Sequence, residues 1–336
     1  MKLCIVGAGA IGGYMGVKLA LAGEELTFIA RGANLDAVQK NGLKLIAENG
    51  SEQVATDVRA TSDMREAGEH DVVILALKAH QIEPIAENLR ALFREDTIVV
   101  TTQNGIPWWY FEKHGGEFEG RRLQSVDPHG ILAENIESER VIGCIVYIAA
   151  ELAEPGVVRH IEGNRFPVGE LDGSESARVK VISETFAKAG LKAPVLKDIR
   201  SEIWLKLWGN LSFNPISALS HATLEEICKF PPTRELAANM MREAEAIANE
   251  LGITFRLSLE KRIAGAEKVG AHKTSMLQDI EQGKAAEVEA LIGSVVELGR
   301  LTETPTPHID AVYASVSLLS KTLSDQRARL RAEKIG

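Results

Sequence analysis

Residues 3–13 read Leu3-Cys4-Ile5-Val6-Gly7-Ala8-Gly9-Ala10-Ile11-Gly12-Gly13. The apolar run Leu3 to Val6 has the composition of a short buried strand, and Tyr14 to Ala22 that of a helix. Between them, Gly7-x-Gly9-x-x-Gly12 gives each glycine a distinct task. Gly7 permits the tight turn, Gly9 lets the backbone approach a pyrophosphate, and Gly12 lets the helix pack close to the strand. The first-turn N–H groups of such a helix lack intrahelical acceptors and sit at the positive end of its dipole, so they suit phosphate. Strand, glycine turn and helix together read as the start of a Rossmann-type dinucleotide-binding unit. Its expected cofactor-binding loop is Gly7, Ala8, Gly9, Ala10, Ile11 and Gly12. The competing reading is a merely structural glycine turn.

The second strand bears on which dinucleotide is bound. Glu25 to Ala30 is the candidate, and it runs into Ala30-Arg31-Gly32. An NAD-binding unit usually places Asp or Glu here to hold the ribose 2′-hydroxyl. Arg31 suits a 2′-phosphate instead, because its planar fork makes charge-assisted bonds to phosphate oxygens. NADPH is therefore the expected cofactor, against the plainer reading of Arg31 as an exposed loop residue. Asp36 reads as a solvated helix residue.

The remaining composition bounds the function. A chain of 336 residues suggests two domains. It is 45% apolar and 25% charged, as expected of an ordinary globular protein. The net charge of −9 argues against nucleic-acid or acidic-membrane partners. Three widely spaced cysteines fit neither a disulfide framework nor a zinc site, and a reducing cytoplasm is the expected location. The histidines have no metal-ligand spacing, so no metal is expected. No signal peptide precedes the first strand, and no membrane-spanning run is present. A homodimer is compatible with all of this.

Strand and helix alternate onward. Asp71 to Leu77 is an apolar run typical of a buried parallel strand, ending at Lys78. A helix is expected at about Ile82 to Phe93, and a further strand at Thr97 to Thr102 ends at Gln103-Asn104-Gly105. Ligands of open parallel sheets bind outside the carboxyl ends of strands, so Lys78 and Asn104 stand where chemistry is expected. Val141 to Ala150, Val157 to Ile161 and Arg165 to Gly169 read as antiparallel strands closing the sheet edge. From Asp198 the pattern is almost wholly helical. The expected fold is thus an α/β N-terminal Rossmann-type domain with antiparallel edge strands, plus an all-helical C-terminal domain. The expected division is 1–197 for NADP binding and 198–336 for substrate and catalysis.

In the helical part, Lys206 and Asn210 share one face of a segment placed at Ile199 to Ser212. Asn214 follows one turn later, where Pro215 is expected to limit the helix. One cation and two amides beside Trp204, Trp208 and Phe213 read as a site wall. A surface lysine on an amphipathic helix is the alternative. Trp108-Trp109-Tyr110 reads as core or interface packing rather than a lid. Glu243, Glu245 and Glu250 read as a solvated face.

The motifs taken in order resemble one family. They are Gly7-x-Gly9-x-x-Gly12, Arg31, Leu77-Lys78-Ala79 and Gln103-Asn104-Gly105. Ile203-Trp204-Leu205-Lys206-Leu207 with Asn210 and Asn214-Pro215 follows, then Ser275-Met276-Leu277-Gln278-Asp279 with Glu287. This set resembles the ketopantoate reductases (2-dehydropantoate 2-reductases) across residues 1 to about 320. The resemblance implies NADPH-dependent reduction of ketopantoate to pantoate, on the route to pantothenate and coenzyme A. It implies Lys206 as the general acid, with Glu287 holding the substrate hydroxyl and orienting the lysine. It also implies Ser275 on the substrate carboxylate, Asn210 and Asn214 in the substrate site, and Lys78 and Asn104 beside the cofactor's ribose and nicotinamide, Asn104 reaching the substrate. Glu287 is expected early in a helix at Ala285 to Leu301, where the dipole also favours an acid. Leu224 departs from the family, which commonly carries Asn in that segment and uses it to read the pantoyl part.

Three alternatives are compatible with the sequence. One is a paralogous NADP-dependent dehydrogenase acting on a less polar 2-keto acid. Another is an opine-type or 3-hydroxyacid dehydrogenase, which would use a different constellation. The third is a non-catalytic NADP-binding redox sensor.

Overall fold

The computed structural model describes residues 1–335, with side chains through Arg327. The chain divides into two compact units. The first comprises Met1–Arg122 and Asp127–Ile199; the second comprises Leu123–Val126 and Arg200 onward. The short segment Leu123–Val126 leaves the first unit's sequence and joins the second, which the sequence reading did not foresee.

The first unit is built on β1 (Lys2–Val6), β2 (Glu25–Ile29), β3 (Leu43–Ile46), β4 (Glu52–Ala55), β5 (Val58–Thr61) and β6 (His70–Leu75). β7 (Phe93–Thr101), β8 (Val141–Cys144), β9 (Tyr147–Glu154), β10 (Val157–Arg165) and β11 (Val168–Gly169) complete it. The main sheet has the order β11-β8-β7-β6-β1-β2-β5. It is parallel except for β11, which runs antiparallel to β8. Strand order therefore reverses between β1 and β6, which opens the ligand crevice at their carboxyl ends.

Helix α1 (Ala10–Leu21) is buried on nearly every side, and the reason is a second sheet. β4-β3-β10-β9 form a separate four-stranded sheet that lies against α1. The expectation that the strands after residue 141 all close the main sheet's edge is thus corrected. β8 extends the main sheet parallel to β7 and only β11 closes its edge antiparallel, while β10 pairs with β3 of the β3–β4 hairpin and β9 pairs with β10. The glycines of α1 make this sandwich possible. A Cβ on Gly12 would lie 2.0 Å from the Gly7 carbonyl oxygen, and one on Gly13 would lie 2.6 Å from Val158 of the second sheet. Backbone and sheet occupy the space any side chain would need.

The other helices of this unit are α2 (Gly32–Asn41), α3 (Met64–Ala67), α4 (Ala86–Leu89), α5 (Ile131–Asn135) and α6 (Ala177–Lys188). The single helix expected over 82–93 is broken. Two 3₁₀ turns and the four-residue α4 replace it, with Pro84 in the first turn. Trp108, Trp109 and Tyr110 are buried, and the Trp109 indole N–H donates to Thr101 Oγ1 at 3.1 Å. They are core, as the sequence suggested. Glu170, buried after β11, accepts both prongs of the Arg178 guanidinium at 2.7 and 2.6 Å, joining β11 to α6.

The second unit holds α7 (Ile199–Ser220), α8 (Leu224–Lys229), α9 (Pro231–Glu250), α10 (Leu259–Lys268), α11 (Ser275–Glu281), α12 (Ser294–Leu301) and α13 (Pro307–Ile335). Three expectations are corrected here. Helix α7 does not stop near Pro215 but runs through it to Ser220, at the cost of one backbone bond to the Leu211 carbonyl. The segment after residue 285 enters its helix only at Val288, through a π-turn at Glu289–Gly293. Glu287 therefore precedes the helix, and its carbonyl accepts the Leu291 N–H at 3.2 Å. Glu243 is not simply solvated: its carboxylate caps α13 by accepting the His308 and Ile309 amides, each at 3.0 Å.

Glu297 on α12 holds the segment Leu123–Val126. It accepts the Gln124 and Ser125 amides and the Ser125 hydroxyl at 2.7, 2.8 and 2.6 Å. No helix among the described residues is long and apolar enough to cross a membrane.

Candidate active site

In the first unit, a cavity of about 440 Å3 opens at the carboxyl ends of β1, β2 and β5. Gly7, Ala8 and Gly9 line it together with Arg31, Ser62 and Arg65, and Leu77, Met64 and Ile85 are among the apolar lining. The three glycines behave as the spacing requires. Gly7 sits at φ +108°, where a Cβ would strike Leu77 and the Ala76 carbonyl. A Cβ on Gly9 would meet nothing within 4 Å, so the turn leaves open space beside the backbone. Gly9 is the N-cap of α1 and supplies no side-chain cap. Ala10, Ile11 and Gly12 form the first turn, whose amides lack intrahelical acceptors. This cradle fits a dinucleotide pyrophosphate.

Arg31 is exposed, caps α2 and lines the same cavity. The loop is held by a residue the sequence reading missed. Asn34 Nδ2 donates to the Ala8 carbonyl, and its Oδ1 accepts the Gly156 amide at 2.7 Å. One side chain thus ties the glycine turn to the β9–β10 hairpin.

Lys78 and Asn104 are half-buried and stand just beyond β6 and β7. They do not line the glycine-loop cavity. Gln103 fixes both loops: its Nε2 donates to the carbonyls of Leu75 at 2.6 Å and Leu77 at 3.1 Å. With both donors placed, its buried Oε1 finds no partner among the described residues. The Gln103-Asn104-Gly105 motif marked this segment, but the distant carbonyl partners of Gln103 are fixed only by sheet pairing.

In the second unit, Lys206, Asn210 and Asn214 follow one another at i,i+4 along α7. Lys206 and Asn210 are half-buried, and Asn214 is 5% exposed. Continuation of the helix through Pro215 keeps Asn214 in register with the other two. Its Nδ2 lies 3.5 Å from Ser275 Oγ, so the α7 face and the start of α11 meet there. Ser275 is exposed, while Thr274 before it is buried and caps α11 by accepting the Leu277 amide. The Leu224 amide donates to the His272 carbonyl at 3.0 Å, which sets the start of α8 beside this strand of chain. Glu287 is half-buried in the same unit.

The expected aromatic wall is corrected. Trp204, Trp208 and Phe213 are buried in the helical core. Trp208 stacks on Phe255 at 4.2 Å and donates to the Met241 carbonyl at 2.7 Å. All three rings are thus withdrawn from the surface, and Trp208 packs between α9 and the segment after it. No cluster of side chains among the described residues has the makings of a metal site.

Comparison with known proteins bears on this arrangement. A family model described as ketopantoate reductase PanE/ApbA matches residues 3–173, and one described as the C-terminal part of the same family matches residues 198–320. A 2-dehydropantoate 2-reductase of Mesorhizobium japonicum is 54% identical over 321 residues, covering 95% of this chain and 98% of the relative. A crystal structure from Ralstonia solanacearum, of a protein assigned as a ketopantoate reductase, is 42% identical with a TM-score of 0.91, covering 96% of this chain and 98% of that one. That of 2-dehydropantoate 2-reductase from Geobacter metallireducens is 26% identical with a TM-score of 0.83, covering 95% and 100%.

Proposed function

The chain belongs to the ketopantoate reductase family of oxidoreductases, and on that premise we propose that it reduces 2-dehydropantoate to pantoate with NADPH, for pantothenate and coenzyme A biosynthesis. The observation that carries this reading is the meeting of Asn214 with Ser275. It joins the lysine–asparagine helix face to the serine motif as one polar patch. Arg31 in the glycine-loop cavity supports NADPH over NADH. In this reading the first unit is the cofactor domain and the second the substrate domain.

NADPH, held by the glycine turn and Arg31, would supply the hydride for the keto carbon. Reduction then needs a proton at the keto oxygen, and Lys206 donates it. Ser275 takes the substrate carboxylate, with Asn214 donating to the serine. Asn210, one turn from both Lys206 and Asn214, contributes a further amide. Glu287 accepts from the substrate hydroxyl and orients the lysine. Lys78 and Asn104 hold the ribose and nicotinamide side, on loops that Gln103 fixes. We propose a homodimer as the assembly and the cytoplasm as its location.

A second reading has one observation behind it. Leu224 places an apolar side chain at the segment leading to Ser275, where a polar partner for the pantoyl hydroxyl would serve. A less polar 2-keto acid is then the substrate. The burial of Trp108 and Trp109 removes the other argument for that reading. The deciding experiment is kcat/KM with NADPH for ketopantoate, ketoisovalerate and an aromatic keto acid. Ketopantoate leading by about 10³ or more supports polar readout of the hydroxyl. A lead for ketoisovalerate establishes the second reading, and no turnover of any refutes both.

A further inference from the structure

We propose that Arg65 and the Ser62 hydroxyl form a second half of the 2′-phosphate subsite, so that the phosphate is held from two neighbouring strand ends. The inference rests on the NADPH reading above and adds residues that no family motif on this chain includes. Three observations carry it.

The first is sheet register. β2 and β5 are parallel neighbours, with Ile29 opposite Thr61, and the Ala30 amide donates to the Thr61 carbonyl at 3.0 Å. Arg31 and the Ser62–Arg65 segment therefore leave the same sheet edge side by side. The second is the cavity, which Arg31, Ser62, Asp63 and Arg65 line together with the glycine turn; sheet order sets them beyond β1, at the ends of β2 and β5. With the pyrophosphate at Gly7–Gly9, these strand ends receive the adenosine ribose and whatever its 2′ position carries.

The third is the charge balance. Neither Arg31 nor Arg65 is in an ion pair among the described residues, although acids stand close by. Glu66 is engaged by Arg59 at 3.4 Å and by the Thr61 hydroxyl at 2.7 Å. Asp63 caps α3 by accepting the Arg65 amide at 2.8 Å. Two guanidinium groups against the Asp63 carboxylate leave this part of the cavity with one net positive charge. A phosphate monoester carries between one and two negative charges at neutral pH and three acceptor oxygens, more than one fork can satisfy.

The test uses binding of adenosine 2′,5′-bisphosphate and of 5′-AMP, measured by calorimetry on the whole chain. The variants are Arg31→Ala, Arg65→Ala, Ser62→Ala and the double Arg31→Ala/Arg65→Ala. Arg65→Ala keeps the amide that Asp63 caps, so the fold is not at risk. Loss of an exposed charge-assisted contact should weaken the bisphosphate about ten-fold and leave 5′-AMP within about two-fold. Ser62→Ala should give a smaller loss of the same selectivity, and the double variant should bind the two nucleotides alike. If Arg65→Ala weakens both nucleotides equally, the guanidinium stacks on adenine and the proposal is wrong. If it weakens neither, Arg65 is a solvated surface residue and the proposal is equally wrong. Wild-type protein that does not distinguish the two nucleotides would overturn the NADPH reading itself, and this inference with it.

Discussion

At the scale of single residues, the glycine turn was legible because its logic is local. Gly7, Gly9 and Gly12 act through neighbours within a few positions or on the adjoining strand, and spacing alone assigns their tasks. Asn34 and Gln103 were not legible, because their partners lie 26 to 122 residues and 26 to 28 residues away. Only sheet pairing brings those groups together. The difference between the glycines can be measured. Gly9→Ala meets open space, so the variant should fold with wild-type thermal stability yet bind NADPH at least about ten-fold more weakly, because its methyl occupies phosphate space. Gly12→Ala should instead lower stability, since its Cβ would overlap the Gly7 carbonyl. Thermal unfolding and cofactor titration of the pair check this. Equal behaviour of the two variants would remove the assignment of separate roles.

At the scale of elements, existence was easier to read than extent. Apolar runs such as Asp71 to Leu77 declared the parallel strands, which must be buried on both faces. Helix ends were misread where tertiary packing overrides a local signal. Pro215 is a helix breaker by propensity, but α7 is anchored by buried Trp204, Trp208 and Leu211 before it and by Ile216 after it. Packing on both sides outweighs one lost backbone bond, whose absence costs about 3 kcal/mol in an unsupported helix. The strands after residue 141 were misassigned because alternation shows that a strand has two faces but does not say which sheet it joins.

The start of β6 gives a pH prediction. His70 is buried, and its Nδ1 bonds to the Gly68 carbonyl at 2.8 Å. Burial holds its imidazole below the ordinary 6.5, outweighing the opposite pull of the Gly68 carbonyl. Protonation therefore favours the unfolded chain. The stability this residue contributes is fully present above about pH 6.5 and is lost as pH falls through its depressed folded value. Melting temperature measured from pH 7.5 down to 5 should fall more steeply for the wild type than for His70→Asn. Parallel curves would show that His70 is not the titrating group.

At the scale of the whole molecule, composition and the change from alternating to helical pattern near residue 198 made two units visible. The capture of Leu123–Val126 by Glu297 was invisible, since two backbone amides and one hydroxyl carry no sequence signature. The candidate site was legible as separate motifs on each unit, and the structure adds the Asn214–Ser275 contact within the second. The central claim is that the α7 face does the proton chemistry and the glycine-loop unit holds the cofactor. Its most direct test is the Lys206→Ala variant, with kcat for ketopantoate reduction and the NADPH dissociation constant measured on the same preparation. A lost general acid should lower kcat by about 10²–10⁴ while the dissociation constant stays at the wild-type value. Near-normal turnover by Lys206→Ala, or a loss confined to NADPH binding, would contradict the account.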